Sequence, residues 1–85
     1  MEIHRTARKH GIAEANLRHA VEHAIYVGDL EGDAPLCVLY LGPDRAGNLL
    51  EVVVIERDDG SELAIHAIKM RRRYRQLIRE ARPDD

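Results

Sequence analysis

His66 lies in the middle of an apolar run, Glu62 to Lys69, and the run is followed at once by Arg71, Arg72 and Arg73. An imidazole changes charge near neutral pH, so it can accept or donate a proton there. Guanidinium and ammonium groups hold phosphate oxygens. Together these groups suit phosphodiester cleavage in RNA, where the substrate's own 2′-OH attacks phosphorus. That reaction needs a base, an acid for the leaving oxygen, and cations for the charge on the phosphorane. It needs no metal. On this reading His66 moves the proton, while Arg57 and Lys69 steady the phosphate. Tyr74 is a second candidate proton donor, although it shares an apolar stripe with Met70 and Leu77, which favours packing. The bland alternative for His66 is a half-buried structural histidine.

The other polar clusters carry less. His19 and His23 are spaced i, i+4 and could chelate a metal, but no third ligand follows at a recognisable spacing. They read as solvated surface, as do His4 and His10, whose basic neighbourhood could touch RNA. Asp29, Glu31 and Asp33 lack the spacing of a calcium loop and its distal Glu. Phosphate-binding glycine loops, dinucleotide fingerprints and serine nucleophile elbows are absent from the sequence. No cofactor is expected.

Positioning these groups falls to a chain of 85 residues, one domain's worth, without Phe or Trp. Its core must be aliphatic, helped by three tyrosines. A core of this size supplies roughly 3–5 kcal/mol, so a partner chain or self-association would be unsurprising. Cys37 reads as a small buried hydrophobe. With a lone cysteine, no signal-like start and no apolar run near ~20 residues, the expected setting is cytoplasmic, without a membrane partner.

The net charge of −2 hides an asymmetry. Residues 1–10 carry Arg5, Arg8 and Lys9 against Glu2, whereas residues 11–68 carry three basic side chains against eleven acidic ones. Residues 69–85 return to seven basic against three acidic. If the ends meet, they form one positive patch, the footprint of a polyanion binder. Arg5, Arg8, Lys9, Arg71, Arg72 and Arg73 are its expected RNA contacts.

Local patterns predict the elements. Glu2 to His10 reads as a short helix closed by Gly11. A longer helix follows through Ala13, Leu17, Ala20, Val21 and Ala24, with Glu14, Arg18 and Glu22 as a surface ion-pair row. Gly28 to Pro35 reads as an acidic loop, with Pro35 barring a helix. Strands are expected at Leu36–Leu41, Leu49–Arg57 and Glu62–Lys69, the last two joined by a tight turn at Asp59-Gly60. The central strand is apolar on both faces. Strict alternation on the return strand puts Leu63, Ile65 and Ala67 on one side and Ala64, His66 and Ile68 on the other. A basic helix from about Met70 carries Met70, Tyr74, Leu77 and Ile78 inward and ends at Pro83. The predicted fold is α+β: two N-terminal helices, a three- to four-stranded antiparallel sheet and a C-terminal helix.

Two segments also resemble a known family. "RKHGIAEANLRHAV" resembles the N-terminal segment of BrnT-type toxins, and "GNLLEVVVIERDDGSELAIHAIKMRRRY" resembles their hairpin followed by a basic helix. The likeness runs from about Arg5 to Arg73. Lys9, His10 and Gly11 match the family's "KHG", and Glu56 and Arg57 its "ER". Its serine and second arginine are replaced here by His66 and Ile68, with Ala67 kept, so Lys69 or Arg71 would have to supply the charge. The resemblance implies a RelE-like fold, metal-independent endoribonuclease activity as the toxin of a type II toxin–antitoxin module, and a cognate antitoxin protein as partner. Because the family's aromatic N-terminal strand is missing, it also implies a shorter sheet or a short strand near Ile25 to Val27. The competing expectation is a non-catalytic nucleic-acid- or protein-binding module.

Overall fold

The computed structural model describes residues 1–31 and 36–82. Asp33 and Pro35 of the acidic stretch, and Pro83, lie outside them. The elements are β1 (Glu2–Ile3), a 3₁₀ turn (Arg5–Arg8), α1 (Glu14–Glu22), β2 (Tyr26–Leu30), β3 (Cys37–Pro43), β4 (Leu49–Glu56), β5 (Glu62–Lys69), a second 3₁₀ turn (Arg72–Tyr74) and α2 (Arg75–Ala81).

They build one five-stranded sheet in the order β1-β5-β4-β3-β2. β1 runs parallel to β5, and the other three pairings are antiparallel. This corrects the predicted architecture. The class is α+β, but the sheet is mixed, has five strands, and is joined by one N-terminal and one C-terminal α-helix. The segment expected to be a first helix is instead a two-residue strand followed by a single 3₁₀ turn. β1 escapes sequence reading because its extended form depends on pairing Glu2 with Leu63 and Ile3 with Ala64, some sixty residues away. Tyr26 to Leu30, half of it expected to be loop, pairs with Leu41 to Cys37 as an edge strand.

The turns follow local chemistry. Between β4 and β5, Gly60 takes φ +87°, a conformation that a Cβ disfavours. Asp59 Oδ1 accepts hydrogen bonds from the Ser61 amide (2.9 Å) and hydroxyl (2.6 Å). Between β3 and β4, Asp44 Oδ1 accepts from the amides of Ala46 (2.9 Å) and Asn48 (2.8 Å), with Gly47 at φ +90°.

The two faces of the sheet are covered differently. On one, α1 and the first 3₁₀ turn bury Ala7, Leu17 and Ala20 against Leu50, Val52, Val54, Ala64 and Ala67. Small side chains let the layers approach closely. A Cβ at Gly42 would collide with the Ala20 carbonyl and the Ala24 Cα. On the other face, α2 and the turn before it bury Ile78 against Leu39 and Leu41, with Ile25, Tyr26, Leu30, Leu49, Val53, Met70, Tyr74 and Leu77 around them. That cluster draws on β2, β3 and β4 and on no residue of β5. The expected inward stripe of Met70, Tyr74, Leu77 and Ile78 is present, although only its last two residues are in the helix.

Candidate functional site

β5 does not alternate strictly. Ala64 pairs with Val54 and His66 with Val53, so Ile65 is an extra residue without an opposite number, a β-bulge. Its effect corrects the alternation expected above. Ala64 and Ala67 both face α1, while Leu63, His66 and Ile68 are registered with Ile55, Val53 and Glu51 on the α2 side. The N-terminal segment grips the bulge: the His4 amide donates to the Ala64 carbonyl (2.8 Å) and the Thr6 hydroxyl to that of Ile65 (2.6 Å). The same segment then brings His10 to His66, with ring centroids 6.1 Å apart and planes at 76°.

Glu51 lies on this face of β4, fully buried, with Leu41 and Ile68 as its strand neighbours. A carboxylate in that position is costly unless paired. Arg71 supplies the pairing three times. Its amide (2.9 Å) and Nε (2.9 Å) donate to Oε1, and its Nη2 (2.9 Å) donates to Oε2. Burial pushes the Glu51 carboxyl upward, but the Arg71 hydrogen bonds and charge, with a smaller effect of His66, outweigh it and hold the group below its ordinary 4.5. Hydrogen bonding to Glu51 and its negative charge raise Arg71 in turn.

His66 completes the group. Its Nε2 stands 3.5 Å from Glu51 Oε2 and is buried without a hydrogen-bond partner, although 28 % of the side chain remains exposed. The separation is too long and too poorly aligned for a made bond. A ring approaching by a few tenths of an ångström, with its proton on Nε2, would close it. Glu51 is thus placed to fix the imidazole's tautomer and orientation, as an orienting carboxylate does for a catalytic histidine.

Of the residues expected to do chemistry, the structure brings His66 and Arg71 together through Glu51 and separates the rest. Arg57 ion-pairs with Glu2 (2.7 Å), tying β1 to the hairpin. It lies four residues beyond Val53, His66's strand partner, or about 13 Å along the strand. Lys69 is registered with Leu50, about 10 Å from His66 in the other direction. Tyr74 packs in the α2-side cluster, with the Arg71 and Arg73 guanidiniums 5.9 and 5.5 Å from its ring centre. Arg8 pairs with Glu14 (3.4 Å), while Arg5, Lys9, Arg72 and Arg73 are exposed. The N-terminal segment reaches β5, where His10 lies edge-on to His66, and His66 faces the carboxylate that holds Arg71.

Sequence reading missed Glu51 and the contact of His10 with His66. One signal was present for Glu51, the lone carboxylate inside "LLEVVVI" with an arginine just past the return strand. The remaining histidines have other partners. His19 Nδ1 donates to the Pro43 carbonyl (2.8 Å), and its ring stacks on His23 at 4.2 Å. His4 Nδ1 accepts from the Thr6 amide (3.2 Å) and caps the first turn. Among the described residues no three His, Cys, Asp or Glu side chains are grouped to hold a metal ion. Cys37 begins β3 half-buried rather than sealed in the core. No helix among the described residues is long and apolar enough to cross a membrane.

Searches of family models, curated proteins and solved structures found no match to this chain.

Proposed function

We propose that the chain is a metal-independent endoribonuclease, acting as the cytoplasmic toxin of a type II toxin–antitoxin pair, with RNA as substrate and a cognate antitoxin protein as partner. The observation that carries this reading is the imidazole pair, His10 and His66, backed by the ionised Glu51 that holds Arg71, with exposed cations in the chain segments that follow and precede them. One imidazole takes the proton of the ribose 2′-OH as that oxygen bonds to phosphorus. The other gives a proton to the departing 5′ oxygen. The products are a 2′,3′-cyclic phosphate and a free 5′-OH, with no water or metal consumed. With Nε2 turned to Glu51, proton exchange with RNA falls to Nδ1 of His66. Arg5, Lys9, Arg72 and Arg73 hold the backbone phosphates. The BrnT-type resemblance agrees with this chemistry, although the roles move from Arg57, Lys69 and Tyr74 to His10 and Glu51.

One observation favours the competing reading, a non-catalytic nucleic-acid-binding module. The guanidinium that shares Glu51 with His66, that of Arg71, is already engaged by that carboxylate. Incubating the full chain with end-labelled RNA in excess chelator, alone and with ribosomes, separates the two. Fragments ending in cyclic phosphate support the nuclease. Salt-sensitive binding with intact RNA in both conditions supports the binding module.

A further inference from the structure

A shallow cleft of ≈430 Å³ opens where β4 begins and β5 ends, lined by Gly47, Asn48, Leu49, Lys69, Met70 and Arg75. Its volume is that of a small-ligand site. Two features of it suit an anionic ligand with a flat apolar part. The side chains of Lys69 and Arg75 make no ion pair or hydrogen bond with any described residue, whereas Arg8, Arg18, Arg57 and Arg71 are each paired with a carboxylate. The carboxylate of the adjoining turn, Asp44, accepts from the amides of Ala46 and Asn48 and makes no ion pair with either cation. Between them, Leu49 and Met70 offer an aliphatic and thioether floor, both half-buried.

We propose that this cleft is a nucleotide subsite, with Lys69 and Arg75 holding a phosphate and Leu49 and Met70 seating the base. Two unpaired cations at one rim suit a phosphate's charge and several oxygens. A flat base uses the apolar floor, which a carboxylate side chain would leave empty. The position extends the proposed reaction site: Lys69 lies about 10 Å along β5 from His66, and Arg71, next to Met70, reaches Glu51. The inference rests on the RNA reading in that it assigns the neighbouring nucleotide of the same strand to this cleft.

The test is an amide NMR titration of the full chain with 5′-UMP and 5′-AMP, with inorganic phosphate and hexaglutamate run in parallel. The nucleotides are expected to shift Gly47, Leu49, Lys69 and Met70. Phosphate alone should bind at least tenfold more weakly at the same residues. Lys69→Gln and Arg75→Gln, both at exposed positions, should each weaken nucleotide binding about tenfold, and Glu22→Gln, exposed on α1 across the sheet, should leave it unchanged. Nucleotide shifts confined to other surfaces would overturn the proposal, as would phosphate or hexaglutamate binding as tightly as the nucleotides. The mapping is independent of turnover, so a chain that binds nucleotides here without cutting RNA retains the subsite and loses only the nuclease reading.

Discussion

The two faces of the sheet solve opposite problems. The fully buried residues on the α1 side are alanine, valine and leucine, with Met1, Ile3, Ile12, Val21 and Tyr40 packed around them, and its small residues bring helix and sheet into close contact. The α2 side is closed only over β2, β3 and β4. Over β5 it leaves His66 partly exposed beside a buried carboxylate. Both faces hold an apolar cluster, but only the second also buries a charge, that of Glu51, next to an imidazole.

Breaking the sealed face should have the largest effect. Leu17→Ala removes a fully buried side chain and leaves a cavity, for an expected loss of about 2–5 kcal/mol in chemical denaturation. Activity should fall only as the folded fraction falls.

A smaller but more informative loss is expected on the open face. Arg71→Ala strands the buried Glu51, so Tm should drop by several degrees at pH 7. The deficit should shrink at low pH, where Glu51 takes up a proton. Adding Glu51→Leu should restore Tm while leaving RNA cleavage impaired. A double variant no more stable than Arg71→Ala would mean that the pair matters through shape rather than charge.

The acid limb of stability sharpens the same contrast. Glu51 is held below its ordinary 4.5, so its contribution is complete above that value and is lost as pH falls through the lower value of the folded state. Asp44 and Asp59, lowered by hydrogen bonds within their own turns, act in the same direction. Urea midpoints measured from pH 6 down to 3 should decline, and less steeply in Glu51→Gln than in the wild type. Parallel curves would remove Glu51 from the linkage.

The smallest effect belongs to Tyr40 on the α1 side. Burial, helped by Glu62 and Glu56, raises its phenol above the ordinary 10, and its hydroxyl reaches Glu62 only at 3.5 Å. Tyr40→Phe should change stability by less than about 1 kcal/mol. The late-titrating step in a spectrophotometric titration should disappear with it.

Sequence and structure agree where the controlling contacts are local. The hairpin turn at Asp59-Gly60, the apolar stripe of α1 and the inward Tyr74, Leu77 and Ile78 follow from near neighbours and periodicity. They part where a contact spans the chain. β1 exists only as a partner of β5. The bulge at Ile65 is held by His4 and Thr6, and without it Ala64 and His66 would share a face. For that reason His66 was legible as a candidate, whereas its neighbours Glu51 and His10 were not. Arg57, plausible by its place across the hairpin, proved to be bound to Glu2.

The central claim is that His66, oriented by Glu51 and partnered by His10, transfers protons at an RNA phosphate. The most direct measurement is the cleavage rate of labelled RNA in chelator by wild type, His66→Ala and His10→Ala, with Tm recorded for each. The expected result is loss of at least about 100-fold in both variants at essentially unchanged Tm. Wild-type rates in a folded His66→Ala chain would contradict it.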